Sequence, residues 1–133
     1  MNIRRDALNW LEKNDLDCKG RVFSSKYFPP EDSWKGKPRW WIEFSADVLS
    51  STNQPEICLA LQKHENTPGF YFLRIPFKYL SSKKYQLSYR AEKNRYSLII
   101  SLESKDCFKD IRGKGLNLSR FLINNCNKHS ETK

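Results

Sequence analysis

Residues 39–48 read RWWIEFSADV, a run in which apolar and polar side chains alternate. Trp40, Ile42 and Phe44 fall on one side of the run, whereas Trp41 falls on the other side with acidic and hydroxyl residues. Because successive side chains of a β-strand point to opposite faces of a sheet, this alternation predicts a half-buried strand. We therefore expect Trp40 in the core and Trp41 on the polar face.

Further strands are indicated by the same alternation on both sides of this run. They are predicted at residues 21–25, 56–63, 70–75, 85–90 and 95–103, with a last edge segment at 108–111. Turn residues at 66–69 and at 91–94 separate successive strands. The short intervals predict two antiparallel hairpins, 56–63 with 70–75 and 85–90 with 95–103.

Helical periodicity, with apolar residues three and four positions apart, is strongest near the two ends of the chain. It covers residues 3–14 and the segment from Leu118 to Cys126. Pro76 suits the first position of a helix and predicts one helical turn over residues 77–80. Together these elements predict an α+β fold, an antiparallel sheet of about five strands with the N- and C-terminal helices packed on one face.

The length of 133 residues and the hydrophobic content of 38% are sufficient for one hydrophobic core. We expect residues 1–123 to form a single α+β domain and residues 124–133 to form a frayed polar tail. No stretch approaches the length of about 18 apolar residues that a membrane span requires, so no membrane partner is expected.

Positive charge dominates the chain and is concentrated in its middle. There are 24 Lys and Arg residues against 15 Asp and Glu residues, which gives a net charge of +9. Residues 78–105 alone hold seven cations and two carboxylates. A basic surface of this kind favours a polyanionic partner, either nucleic acid or an acidic protein.

If both helices cover one face of the sheet, the other face meets solvent or a partner. The alternation places the following residues on that open face: Trp41, Phe70, Phe72, Arg74, Arg90, Arg95 and Glu103. Because aromatic rings stack on bases and arginines neutralise phosphates, this face predicts a non-catalytic nucleic-acid-binding module. The opposing interpretation is that Phe70 and Phe72 are buried under the loop of residues 26–38.

Two flanking segments add cations and rings to this prediction. Residues 26–41 carry three of the four Trp residues, and within this run Trp34, Lys35 and Lys37 are expected to form a clamp beside the face. Residues 112–115, Arg-Gly-Lys-Gly, either bring backbone amides to a phosphate or form a basic turn that caps the final helix. The predicted ligand is either DNA or RNA. The predicted nucleic-acid-binding residues are Trp34, Lys35, Lys37, Arg39, Trp41, Phe72, Arg74, Arg90, Arg95, Arg112 and Lys114.

A second hypothesis is a Mg²⁺-dependent nuclease. Glu103 and Lys105 end an apolar strand, an arrangement in which the carboxylate holds the metal and the lysine orients water or stabilises developing charge. Such a site needs a second acidic ligand, for which Glu92 is the nearest upstream candidate. The same three-residue pattern recurs at 17–19 and at 131–133, so we expect binding rather than catalysis. Mg²⁺ is the only cofactor that either hypothesis requires.

A third hypothesis is a protein-interaction domain, such as an inhibitor or an accessory subunit. Its basic aromatic face would dock an acidic partner, because Arg and aromatic residues are enriched in protein interfaces and charge complementarity guides their association. Exposed edge strands also permit a homodimer.

The four cysteines, Cys18, Cys58, Cys107 and Cys126, include no CxxC pair and fit no zinc pattern. Cys58 lies in an apolar strand, where a free thiol packs as a small hydrophobic group. No apolar leader follows Met1, so the chain is expected in the reducing cytoplasm.

Overall fold

The structure is a computed structural model that describes residues 2–31, 38–50, 54–64, 68–103 and 107–123. The helices in these segments are α1 (Ile3–Lys13), α2 (Asp47–Ser50) and α3 (Phe77–Ser82), with 3₁₀ turns at Lys84–Gln86 and Ser119–Phe121. The strands are β1 (Gly20–Ser25), β2 (Arg39–Ser45), β3 (Glu56–Gln62), β4 (Phe70–Pro76), β5 (Ser88–Arg90) and β6 (Arg95–Ser101). The predicted α+β class is confirmed.

The strands form two sheets, and the prediction of one five-stranded sheet is wrong. The first sheet has the order β1-β3-β4 and the second sheet has the order β2-β6-β5. Both predicted hairpins, β3 with β4 and β5 with β6, are confirmed as antiparallel pairs. β1 runs parallel to β3. β2 pairs antiparallel with β6, and the chain between these two strands, residues 46–94, contains the whole first hairpin.

The hydrophobic core lies between the two sheets. Its members from the strands are Trp40, Ile42, Phe44, Ile57, Leu59, Leu61, Leu73, Ile75, Leu98 and Ile100. Trp40 is fully buried, as predicted, and its indole Nε1 donates a hydrogen bond to the backbone oxygen of Gln62 at 2.7 Å. Its ring also stacks on that of Phe108, with centroids 5.6 Å apart. The hydrogen bond offsets the free-energy cost of removing the indole N–H from water. Trp40 therefore packs between the sheets without leaving a buried donor unsatisfied.

Helix α1 covers the outer face of the first sheet. Its buried residues Ala7 and Leu11 pack against Phe70 and Phe72, which lie on the outward side of β4. Asn2 caps the helix by accepting a hydrogen bond from the backbone N–H of Arg5 at 3.0 Å. With 11 residues α1 is the longest helix in the described segments, none of which contains a helix long and apolar enough to cross a membrane.

The predicted helix from Leu118 to Cys126 is wrong over its described part. Residues 119–121 make one 3₁₀ turn, after which Leu122 forms a bridge with Leu73 at the edge of β4. The backbone N–H of Ile123 then donates to the oxygen of Phe72 at 2.8 Å. These contacts pair backbone groups of β4 that an edge strand would otherwise leave without hydrogen-bond partners. The pairing outweighs the helical periodicity of the local sequence. The predicted tail at 124–133 lies outside the described residues.

A disulfide joins Cys18 to Cys58, so the expectation of a free thiol at Cys58 is wrong. The parallel pairing of β1 with β3 places Val22 beside Cys58. The segment that precedes β1 contains Cys18, and this pairing brings it next to β3. Forty residues separate the two cysteines in sequence, so their spacing gives no sign of this contact.

We predict that Cys18→Ser lowers the free energy of unfolding by about 4 kcal/mol, because the disulfide restricts the unfolded chain over the loop that it closes. Urea denaturation with and without a reductant measures the effect. Reductant should destabilise the wild-type protein and leave the Cys18→Ser variant unchanged. Equal sensitivity of both proteins to reductant would contradict the assigned bond.

Candidate nucleic-acid interface

The outward side of the second sheet carries a mixed aromatic and charged surface. Strand register places Trp41 opposite Ile99, and Glu43 opposite Ser97, which in turn lies opposite Ser88. We call this surface the Trp41 face and define it by Trp41, Glu43, Ser88, Arg90, Arg95 and Ser97. The predicted position of Trp41 on the polar side of its strand is confirmed.

Trp41 is both exposed and anchored. Its side chain is 45% exposed, whereas its cross-strand neighbour Ile99 is buried. The indole Nε1 donates a hydrogen bond to the Ser97 hydroxyl at 3.0 Å, and the backbone N–H of Trp41 donates to the Ser25 hydroxyl at 3.0 Å. The indole is therefore held beside the sheet while nearly half of its surface stays available to a ligand.

Two arginines of the Trp41 face share one carboxylate. Arg90 Nη1 lies 3.2 Å from Glu43 Oε2, and Arg95 Nε lies 3.3 Å from Glu43 Oε1. Arg90 also approaches Glu92, whose pKa is lowered by its own backbone amide and further by Arg90. The shared carboxylate fixes both guanidinium groups and neutralises part of their charge.

Residues 112–115 lie against the start of β5. Arg112 Nε donates to the Ser88 hydroxyl at 3.3 Å, and the backbone N–H of Lys114 donates to the oxygen of Gln86 at 2.9 Å. A Cβ atom on Gly113 would collide with that same oxygen, so only glycine allows this approach. The segment thus extends the Trp41 face with Arg112 and does not cap a terminal helix, contrary to one of the two sequence interpretations.

Asp110 fixes this segment to the sheet. Its carboxylate Oδ1 accepts hydrogen bonds from the backbone N–H groups of Ile99 at 3.1 Å and Arg112 at 3.2 Å. The residue is fully buried, and burial raises the pKa of its carboxyl above the ordinary value. The predicted edge segment at 108–111 is confirmed through the bridge between Ile100 and Asp110. Nothing in the local sequence pattern singled out Asp110, because the amide of Ile99, which joins it to the sheet, is 11 residues away.

Three of the residues predicted on the open face belong to β4 of the first sheet and do not lie on the Trp41 face. Phe70 and Phe72 are buried under α1, and Arg74 forms ion pairs with Glu56 and Asp17, both at 3.6 Å. The expectation that these residues share an open face with Trp41 is wrong, because β4 and β2 belong to different sheets. The covering element is helix α1, whereas the opposing interpretation named the loop of residues 26–38, of which 32–37 lie outside the described residues.

Arg39 and the loop residues have different outcomes. Arg39 is only 7% exposed, and its guanidinium lies over the Phe28 ring at 5.1 Å, so it is unavailable as a surface contact. Trp34, Lys35 and Lys37 lie outside the described residues, and so does Lys105. Among the remaining predicted contacts, Trp41, Arg90, Arg95 and Arg112 come together on one side of the second sheet, with Lys114 two residues beyond Arg112.

The predicted metal pair is not formed. Glu92 precedes β6 and Glu103 follows it, and the seven residues of the strand separate its ends by about 20 Å at about 3.3 Å per residue. Such a distance excludes a shared Mg²⁺ ion. In the described segments one group of three potential ligand side chains is present, Cys18, Glu56 and Cys58, and two of these form the disulfide.

No protein-family model, curated protein or solved structure matches the chain at a significant level. The inference about function rests on the geometry of the Trp41 face and on the charge of the chain.

We predict that Asp110→Asn gains stability relative to the wild-type protein as the pH rises from 4 to 7. The raised pKa means that folded Asp110 binds its proton more tightly than the unfolded chain does, so the wild-type protein loses stability as this proton dissociates. Each unit of pKa difference corresponds to about 1.4 kcal/mol. Urea denaturation of both proteins at the two pH values gives the comparison. A stability difference that stays constant or shifts toward the wild-type protein would contradict the prediction.

Proposed function

We propose that the Trp41 face binds single-stranded nucleic acid without chemically altering it. The observation that carries this proposal is an indole that is 45% exposed yet hydrogen-bonded in place on a sheet with neighbouring arginines. Exposed rings on a sheet form stacking platforms for bases, and cations beside them contact the phosphates.

Trp41 is the stacking residue in this proposal. Its bond to Ser97 removes rotational freedom before a ligand arrives, so less conformational entropy is lost when a base stacks on the ring. Stacking on an aromatic side chain contributes about 1–3 kcal/mol per base. Both DNA and RNA present suitable bases.

Arg112 is the strongest candidate for a phosphate contact. It forms no ion pair with a carboxylate in the described part of the chain, and its bond to Ser88 directs it along β5, two strands from Trp41. At about 4.8 Å between neighbouring strands, this separation is on the order of 10 Å. Arg90 and Arg95 contribute less, because a phosphate must compete with Glu43 for them. Lys114 adds an exposed cation nearby.

We predict that Trp41→Ala weakens binding to a single-stranded oligonucleotide by about 5- to 150-fold, which corresponds to about 1–3 kcal/mol of lost stacking. Trp41→Phe should retain most of the affinity. Leu8→Ala is the matched control, because Leu8 is 40% exposed but belongs to α1 on the other sheet. Fluorescence anisotropy with a labelled oligonucleotide measures all four proteins.

Salt dependence separates stacking from charge in the same assay. Arg112→Gln should reduce the slope of log K against log salt by roughly 0.7, the value for one phosphate contact on a single strand, whereas Trp41→Ala should leave the slope unchanged. Wild-type affinity that does not vary with salt would contradict the proposal, and so would equal losses in Trp41→Ala and Leu8→Ala.

An acidic protein is the second candidate partner, since Trp and Arg are also the residues that dominate protein–protein binding energy. Retention of an acidic protein, with no oligonucleotide binding, would favour this function.

A homodimer stays a prediction of the sequence. A disulfide is typical of oxidising compartments, so the Cys18–Cys58 bond weighs against the cytoplasmic location expected from the polar residues that follow Met1.

A further inference from the structure

A cleft of about 700 Å³ opens where β1 and β2 meet α2, at the end of the Trp41 face. This volume falls within the range of about 300–1,000 Å³ that is typical of small-molecule sites. The side chains that give it chemical character are Arg21, Phe23, Phe44, Asp47, Gln54 and Arg95.

The apolar wall of the cleft consists of two aromatic rings. Phe23 is half-buried and packs on the buried Phe44, with ring centroids 5.3 Å apart. The guanidinium of Arg21 lies over the Phe23 ring, 5.4 Å from its centroid. A ligand at this position meets a flat apolar surface beside a flat cation, which is a favourable environment for a planar heterocycle.

Two arginines supply positive charge to the cleft. Arg21 has no carboxylate partner within ion-pair distance across the described segments. Arg95 is held by Glu43 through its Nε atom, and its Nη2 atom donates to the backbone oxygen of Glu43 at 3.4 Å. An anion that enters the cleft would supply the partner that Arg21 lacks, and guanidinium groups suit phosphate geometry.

Asp47 and Gln54 add polar side chains to the lining of the cleft. Gln54 is already committed, because its Oε1 accepts from the backbone N–H of Arg21 at 3.0 Å and its Nε2 donates to the oxygen of Val48 at 3.3 Å. These two bonds join β1 to α2 and preform the cleft. Asp47 is exposed and has no carboxylate hydrogen bond in the described segments, so it is available to accept from hydroxyl groups of a ligand.

We propose that this cleft binds one ribonucleoside 5′-phosphate. The base packs on Phe23 and Arg21, the phosphate pairs with Arg21 and Arg95, and the ribose hydroxyls donate to Asp47. A flat ring, an anion and vicinal hydroxyls are the three features that the lining requires, and a ribonucleotide combines them in one molecule. The ligand is either a free mononucleotide or the 5′-terminal nucleotide of a strand. The second source rests on the proposed function, because Arg95 belongs to both the cleft and the Trp41 face.

Isothermal titration calorimetry with adenosine 5′-monophosphate tests the site. Arg21→Gln should weaken binding by about tenfold or more through loss of a charged hydrogen bond, and Arg21→Lys should restore part of the affinity. Asp47→Ala should remove the preference for the ribonucleotide over 2′-deoxyadenosine 5′-monophosphate, because the ribose hydroxyls lose their acceptor. Arg5→Gln is the matched control, since Arg5 is an exposed arginine on α1.

The two sources are separated with oligonucleotides that carry a 5′-phosphate or a 5′-hydroxyl. Tighter binding of the phosphorylated strand, lost in Arg21→Gln, assigns the cleft to a strand end, whereas equal binding of both strands assigns it to a free mononucleotide. Trp41→Ala should leave binding of the mononucleotide unchanged, so this site can fail or succeed independently of the Trp41 face. No heat of binding up to about 10 mM mononucleotide, or equal affinity in Arg21→Gln and Arg5→Gln, would overturn the proposal.

Discussion

Two small sheets pack against each other around the buried Trp40, and this packing determines which surfaces of the protein remain exposed. Each sheet contributes one apolar face to the shared core, and the other face of each sheet points outward. Helix α1 covers the outward face of the first sheet through Ala7 and Leu11. The outward face of the second sheet carries Trp41 and the arginines, so the position of the candidate site follows from which sheet the helix covers.

Ion pairs organise the Trp41 face more than they stabilise it. Glu43 is shared by Arg90 and Arg95, and pairs that are partly open to solvent contribute only a small amount of free energy to folding. Their main effect is to hold two guanidinium groups in fixed positions along one row of the sheet. Glu43 also limits non-specific attraction, because an incoming anion gains from these arginines only if it competes with the carboxylate.

The alternation of apolar and polar side chains was sufficient to predict the strands but not to predict which strands share a sheet. Alternation correctly predicted that Trp40 is buried and Trp41 exposed, and short turns correctly predicted both hairpins. Alternation states which residues share a face of one strand, but not which sheet that strand joins. Phe72 and Trp41 therefore looked equivalent in sequence although a helix covers one of them. The parallel pairing of β1 with β3 and the disulfide depend on contacts across long stretches of chain, for which the sequence carries no local signal. The role of Asp110 depends on the backbone amide of Ile99, which no side-chain pattern indicates.

Chemical shifts of the backbone amides, followed during titration with a single-stranded oligonucleotide, locate the bound ligand on the protein. The perturbed amides should cluster on β2, β5, β6 and residues 110–114, and the indole N–H of Trp41 should show one of the largest shifts. The amides of α1 should stay unperturbed, since the helix lies on the other sheet. Shifts that cluster on α1 and β4, or that scatter over both sheets, would contradict the assignment of ligand binding to the Trp41 face.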